Sequence, residues 1–314
     1  MLILVTGGTK NGKSSIAQKM ICSLATCDNR LYLATMKPCD DEDAERILKH
    51  KKDRAGLSFK TFECACDISS CEKKIFELCS RPSLLLDSLT SLLSNEMFRD
   101  GKIVHRAGEK ILLEIKNLSK ALDNLVLVSD SIFSDAIQYE ELTEEYRREL
   151  AFLENEIGCF ADVVIKMECG QPFFVKGKKL FMDVLKDCLP PEKKDEKNIF
   201  VYGGSFQGKS DFAKKTFELE KKEIYSCTRD SLPDFSYKCL CHLENYVWYS
   251  LKSREPVDFA KLLGKILIMD DITCGIVPME PFERKWREEC GLFSQRIASC
   301  SKVIRIVCGK AFEL

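Results

Sequence analysis

The chain has 314 residues, of which 45% are hydrophobic and 31% are charged, proportions typical of a folded protein that exclude a disordered chain. Its 48 lysines and arginines balance 49 aspartates and glutamates, so no basic field is available to hold a nucleic-acid backbone and we expect no nucleic-acid partner. The length favours two domains over one.

The first residues, MLILVTGGTKNGKSS, contain a short apolar run that enters a glycine-rich loop, a pattern unlike a signal peptide. No apolar stretch approaches the roughly 20 residues that span a bilayer, so we expect no integral membrane segment. Seventeen scattered cysteines without a secretory signal favour reduced thiols and predict a cytoplasmic protein. The CxC pairs at 64–66 and 239–241 are interpreted as core positions and not as a metal site.

Short apolar runs predict buried strands along the chain, and longer amphipathic stretches predict the helices that cover them. The strands are expected at 31–35, 84–86, 125–128, 163–166, 224–228, 266–268 and 303–307, and two of the helices at 139–155 and 281–298. Alternation of this kind predicts an α/β fold in which each mostly parallel sheet is covered by helices.

The chain contains the same opening twice. LILVTGGTKNGKSSIAQK near the start returns as NIFVYGGSFQGKSDFAKK, and from Gly7 to Gly203 the offset is 196 residues, which is too long for a solenoid repeat. A segment with two prolines and many charges lies between the copies and is typical of a linker. We therefore predict two tandem P-loop NTPase-like domains at 1–187 and 198–314, joined by a linker at 188–197.

Each copy carries the GxxxxGK[ST] pattern of a phosphate-binding loop, placed after an apolar strand and before a helical stretch. The backbone N–H groups of such a loop and the helix N-terminus surround phosphate oxygens, and the lysine contacts the β- and γ-phosphates. The predicted nucleotide-binding residues are Gly7, Gly8, Thr9, Lys10, Asn11, Gly12, Lys13 and Ser14 in the first copy and Gly203, Gly204, Ser205, Phe206, Gln207, Gly208, Lys209 and Ser210 in the second. Phosphate binding by itself does not establish catalysis.

Asp87 ends the apolar run LLLD and is the expected carboxylate ligand of Mg²⁺, together with the Ser14 hydroxyl. The alternative is that Asp87 only caps the helix that follows. The matching stretch of the second copy, KCLCH at 238–242, has no acid at that position, so a metal site there is in doubt.

Three stretches of the first copy resemble the adenosylcobinamide kinase/adenosylcobinamide-phosphate guanylyltransferase family of cobalamin assembly. They are TGGTKNGKS at 6–14, YLAT at 32–35 followed by DDEDAERILKHK at 40–51 and Arg54, and LDSLTSLLSN at 86–95. The resemblance implies that ATP or GTP phosphorylates adenosylcobinamide and that GMP from GTP is then transferred through a GMP-histidine intermediate, with Mg²⁺ and with a corrinoid and nucleoside triphosphates as small-molecule partners.

By matching position, the resemblance makes His50 the nucleophile and Lys13 a second catalytic residue, and it adds Thr35 and Arg54 to the nucleotide-binding set. Imidazole suits such an attack because its neutral form is abundant near pH 7. Without the resemblance, His50 would be taken for a solvated member of the basic run at 49–52.

The second copy resembles the family in other segments, namely DDITCGIVP at 270–278, Arg284, Arg287 and SQRIA at 294–298. The first copy has DSIFSDAIQ at 130–138 instead, whereas the second copy has no RIxxH segment. One interpretation is a composite site in which Arg296 binds nucleotide beside His50. The other is a working first domain with a degenerate second.

The sequence leaves a homo-oligomer and an intramolecular pseudo-dimer both open. Two alternative functions also remain. One is a small-molecule P-loop kinase in which the histidine is incidental, and the other is a nucleotide-binding regulatory protein with degenerate sites.

Overall fold

A computed structural model describes residues 1–38, 41–133, 137–190 and 197–314, without the side chains of 41–43 and 46. Most of the predicted linker, residues 191–196, therefore lies outside the described part of the chain. Contacts divide the chain into two compact units. The first comprises Met1–Gly7, Lys13–Lys166 and Phe174–Leu189, and the second comprises Gly8–Gly12, Met167–Phe173 and Pro190–Leu314.

In the described ranges, the first sheet has seven strands, five of which pair in parallel. With the separate antiparallel hairpin of β5 and β6, the strands are β1 (Leu2–Gly7), β2 (Arg30–Ala34), β3 (Lys60–Glu63), β4 (Ser83–Asp87), β5 (Phe98–Arg99), β6 (Lys102–Ile103), β7 (Asn124–Val128), β8 (Val163–Glu168) and β9 (Gln171–Lys176). The sheet order is β3-β2-β4-β7-β1-β8-β9, and β3, β2, β4, β7 and β1 run parallel. All six residues of β1 are buried, as expected for a parallel strand covered on both faces.

The helices that accompany this sheet, among the residues that the structure describes, are α1 (Lys13–Leu24), α2 (Asp41–Arg54), α3 (Glu72–Leu78), α4 (Leu89–Met97), α5 (Ala107–Ala121), α6 (Glu141–Phe160) and α7 (Lys178–Leu185). Helix α4 begins directly after β4 because the Ser88 hydroxyl accepts a hydrogen bond from the Ser91 N–H, the usual cap of a helix N-terminus.

The second sheet lies within residues 197–314, all of which are described, and of its six strands only the last pair is antiparallel. The elements are β10 (Asn198–Gly203), β11 (Ile224–Ser226), β12 (Cys239–Cys241), β13 (Ile266–Asp270), β14 (Ser301–Val307) and β15 (Lys310–Glu313), with the helices α8 (Lys209–Thr216), α9 (Leu243–Ser253) and α10 (Pro281–Ala298). The order is β11-β12-β13-β10-β14-β15. Cys239 and Cys241 are buried in the core of this unit, as predicted for the CxC pair.

The predicted α/β architecture is confirmed, because both sheets are mostly parallel and helices lie between their strands. The predicted strands all coincide with observed strands, and α10 begins and ends at the predicted residues. Within the described ranges, no helix is both long and apolar enough to span a membrane.

Candidate functional site

The two glycine-rich loops have matching backbone geometry. Gly12 has a φ of 87° and Gly208 a φ of 89°, in the left-handed region that favours glycine, and the helices α1 and α8 begin at the next residue. Lys10 and Phe206, at equivalent positions, have φ values of 51° and 59°. Both loops therefore turn from strand to helix in the conformation that directs backbone N–H groups toward a phosphate.

The lysine of each loop is buried and paired with an aspartate at the end of the neighbouring strand. Lys13 Nζ lies 2.9 Å from Asp130 Oδ1, and Lys209 Nζ lies 2.6 Å from Asp270 Oδ1, with lysine side chains 8% and 5% exposed. These aspartates follow or end β7 and β13, the strands that pair directly with the loop strands β1 and β10. A phosphate that displaces the aspartate from the lysine would find a cation already held inside the loop.

Neither aspartate was predicted as the lysine's partner. The signal was available, since DS at 130–131 and DD at 270–271 occupy the same place in the two copies. The first of them is positioned by the LDSLT segment, because Thr90 Oγ1 accepts a hydrogen bond of 2.9 Å from the Asp130 N–H. The Tyr146 hydroxyl donates to the Thr90 carbonyl over 3.0 Å, and burial, followed by the charge of Asp130, raises the pKa of Tyr146.

Asp87 ends β4, which is separated from the loop strand β1 by β7. The Tyr32 hydroxyl donates a hydrogen bond of 2.8 Å to Asp87 Oδ2. Burial and the nearby carboxylate raise the pKa of Tyr32, so the hydroxyl remains a protonated donor. The carboxylate of Asp87 and the half-buried hydroxyl of Ser14 are hard oxygen donors of the kind that Mg²⁺ prefers, so the chemistry of these two residues fits that ion.

Thr35 is fully buried and holds the turn that follows Asp87. Its hydroxyl donates to the Ser88 carbonyl over 2.7 Å and accepts from the Ser88 N–H over 2.8 Å. Asn95, from the same LDSLTSLLSN segment, donates to the Thr35 carbonyl over 2.8 Å. The contacts of this threonine therefore fix the end of β4, so that it acts on a ligand through Asp87.

His50 and Arg54 lie one helical turn apart on α2, so their side chains share a face of the helix. The Arg54 guanidinium is buried and stacks on the Tyr32 ring, with 3.7 Å between its central carbon and the ring centroid. Because Tyr32 also donates to Asp87, the face of α2 that carries His50 is directed toward the ends of β2 and β4.

The arginines of the second copy's resembling segments have defined partners. Arg287 donates to the carbonyls of Gly275 and Ile276 over 2.9 and 2.7 Å, and so supports the GIVP loop. The Arg296 guanidinium lies 3.6 Å from the centroid of the Phe259 ring. In the second loop itself, the Ser205 hydroxyl donates to Asp270 Oδ2 over 2.7 Å.

Residues 3–175 match the model of the family described as cobinamide kinase / cobinamide phosphate guanyltransferase. The bifunctional adenosylcobalamin biosynthesis protein CobU of Salmonella typhimurium (strain LT2) is 27% identical over 175 residues, which are 52% of this chain and 93% of that protein. The bifunctional adenosylcobalamin biosynthesis protein CobP of Pseudomonas aeruginosa is 26% identical over 177 residues, covering 56% and 98%.

Among solved structures, one ATPase domain covers 52% of this chain and 68% of its own, at 17% identity and a TM-score of 0.34. The family match extends over more than half of the chain and contains the first phosphate loop, His50, Arg54 and Asp87. The chain belongs to the cobinamide kinase / cobinamide phosphate guanyltransferase family.

Proposed function

We propose that the first unit phosphorylates adenosylcobinamide with ATP or GTP and then transfers GMP from GTP to adenosylcobinamide phosphate. The observation that carries this proposal is the phosphate loop of a family member whose lysine, Lys13, is buried and held by Asp130 at 2.9 Å. In the resting loop the aspartate neutralises the lysine, and a triphosphate takes its place. The lysine then stabilises negative charge that develops on the transferred phosphate.

The second step is assigned to His50. A ring nitrogen attacks the α-phosphorus of GTP, the bond to the β-phosphate oxygen breaks, and pyrophosphate leaves. The GMP on the histidine is then attacked by a phosphate oxygen of adenosylcobinamide phosphate, which gives adenosylcobinamide-GDP and frees the imidazole. The position of His50 on the Arg54 face of α2 supports this role, because Arg54 is tied through Tyr32 to Asp87.

Asp87 and Ser14 would hold Mg²⁺, which supplies additional positive charge to the bound phosphates. Tyr32 and Thr35 orient the carboxylate by the hydrogen bonds already described. In this proposal Thr35 is a positioning residue. Arg54 keeps its predicted part in nucleotide binding, in addition to its stacking on Tyr32.

The decisive experiment is covalent trapping of the nucleotide. Purified protein is incubated with Mg²⁺ and α-labelled GTP and then denatured, and retained label is compared in the wild type, His50→Ala and His105→Ala. His105 is the matched control, because it is an exposed histidine of the same unit, paired with Glu145 at 2.6 Å. Acid-labile label is expected in the wild type and the control only.

Label that persists in His50→Ala would assign the nucleophile elsewhere. If no variant retains label while ATP-dependent phosphorylation of adenosylcobinamide continues, the protein is a kinase alone. Peptide mapping of the trapped adduct gives the same answer independently of the rate.

The second phosphate loop is also proposed to bind a nucleotide, and the chain is proposed to be a tandem of two copies of one fold. The paired lysine and aspartate, Lys209 and Asp270, and the matching loop geometry support both points. Arg296 belongs to this second proposed site. A cytoplasmic location accords with the free cysteines in the described ranges.

A further inference from the structure

The second unit contains a histidine at the position where the first unit has its metal carboxylate. Asp87 ends β4, and His242 directly follows β12; β4 pairs with β7, and β12 pairs with β13. The two residues therefore stand at the ends of equivalent strands, each one strand away from the strand that neighbours the phosphate loop. The sequence comparison noted the missing acid and put a metal site in doubt.

The structure supplies two acids from elsewhere. His242 Nδ1 lies 3.0 Å from Glu244 Oε1, and Glu244 Oε2 accepts a hydrogen bond of 3.1 Å from the Asp270 N–H. One ligand atom from each of His242, Glu244 and Asp270 can be chosen so that all three lie within 4.8 Å of one another. Three donors on one ion at about 2.0–2.2 Å need separations of about 3–3.5 Å, so modest side-chain rotation would close the set.

The three donors are held by independent elements. His242 precedes α9, Glu244 lies in its first turn, and Asp270 ends β13. The backbone of Glu244 is itself anchored, because Trp286 Nε1 donates to its carbonyl over 2.7 Å. Such support limits the reorganisation that binding an ion requires.

A second observation points to a ligand at this place. Asp270 also pairs with Lys209 of the phosphate loop, and Ser205 of that loop donates to its other oxygen. The cluster therefore borders a loop built to surround phosphate oxygens, where a cation would contact both protein and phosphate. A simple ion pair at a helix start would not require a third donor on the loop side.

We propose that His242, Glu244 and Asp270 form a divalent transition-metal site beside the second phosphate loop. One imidazole nitrogen with two carboxylates suits Mn²⁺, Co²⁺ or Zn²⁺ better than Mg²⁺, which prefers an all-oxygen set. The site distinguishes the second unit from the first, whose proposed ligands are oxygens alone. Its occupancy does not depend on the proposed transferase activity of the first unit.

The test uses the full chain, freed of metal by chelation and dialysis, and the metal alone as probe. Co²⁺ binding is followed by its visible absorption and bound Mn²⁺ is counted by electron paramagnetic resonance, for the wild type, His242→Asn, Glu244→Gln and His105→Asn. Asparagine is chosen because His242 has a φ of 57°, a conformation that asparagine tolerates. Glutamine keeps an oxygen that can accept from the Asp270 N–H.

We expect one site in the wild type and in His105→Asn that is at least about tenfold weaker in His242→Asn and Glu244→Gln. The Co²⁺ spectrum should lack the strong near-ultraviolet band of thiolate ligation, which separates this site from binding by cysteines. His242→Asp should weaken Co²⁺ binding and strengthen Mg²⁺ binding. Circular dichroism verifies that each variant is folded.

Equal affinity and stoichiometry in the wild type and His242→Asn would overturn the proposal, as would a wild type that binds neither ion. Both results are independent of trapping at His50, so a failure of the proposed function and a failure of the metal site are distinguishable.

Discussion

Replacing Thr35 by valine tests whether this residue acts through the Asp87 turn. Valine keeps the shape of the side chain and removes only the hydroxyl, which both donates to and accepts from Ser88 at 2.7 and 2.8 Å in a fully buried position. The substitution leaves a backbone carbonyl and a backbone N–H without this partner. Each such loss is worth about 1–3 kcal/mol.

Because the two hydrogen bonds share one hydroxyl, their losses are not additive, and we expect a total of about 2–4 kcal/mol. In a unit of this size that corresponds to a fall in Tm of roughly 5–15 °C. The phosphorylation reaction should also require more Mg²⁺ for half-maximal rate, since the loosened turn no longer fixes Asp87.

Urea unfolding measures the first effect with two probes. Both tryptophans, Trp248 and Trp286, lie in the second unit, so their fluorescence reports that unit, whereas circular dichroism reports both. Thr35→Val should lower the unfolding midpoint seen by circular dichroism more than the midpoint seen by fluorescence. Thr228→Val is the control, because it alters the corresponding but exposed threonine of the second unit.

A Thr35→Val protein within about 0.5 kcal/mol of the wild type would refute the reasoning on stability. An unchanged Mg²⁺ requirement together with a large increase in the KM for nucleotide would instead favour direct nucleotide binding by Thr35, as first predicted from the sequence.

The contacts of three other side chains support further predictions. Tyr32→Phe removes the 2.8 Å hydrogen bond to Asp87 and should raise the Mg²⁺ concentration needed for half-maximal phosphorylation, with a stability loss of about 1.5–3 kcal/mol. Lys13→Ala should abolish both transfer reactions and Lys209→Ala should not, while each removes one of two sites in nucleotide-binding titrations. Burial raises the pKa of Glu114 above its ordinary 4.5, so its stabilising contribution is present below pH 4.5 and is lost as pH rises through the folded-state pKa. The unfolding free energy of Glu114→Gln relative to the wild type should therefore increase between pH 4.5 and about pH 7.

Controls for these variants come from the same chain. Tyr249→Phe, a half-buried position of the second unit, should leave the Mg²⁺ requirement unchanged. Transfer activity that survives in Lys13→Ala and is lost in Lys209→Ala would reverse the assignment of the two loops. A difference between Glu114→Gln and the wild type that is constant with pH would contradict the pKa shift.

The loops and the order of the elements could be predicted from the sequence, because they depend on local chemistry. Gly12 and Gly208 are required by the left-handed turn itself, and continuous apolar runs such as LILV or LLLD are what a parallel strand covered on both faces must contain. The duplication hypothesis rested on the same local signals, since each copy repeats the strand, the glycines and the lysine.

The sheet order was decided only by the tertiary structure. Asp130 and Asp270 follow or end the strands that pair with the loop strands, whereas Asp87 and His242 stand one strand further away. Which carboxylate meets the lysine depends on which strands are neighbours, and strand pairing joins segments that are far apart in the chain.

The sequence by itself determined the family, two phosphate loops and a candidate histidine at position 50. The tertiary structure decided what surrounds them. It turned Thr35 from a predicted ligand contact into the buried support of the Asp87 turn, and it brought Glu244 and Asp270 to His242, where the sequence showed only a missing acid. Contacts of this kind are set by how distant segments pack, and no local pattern of residues specifies them.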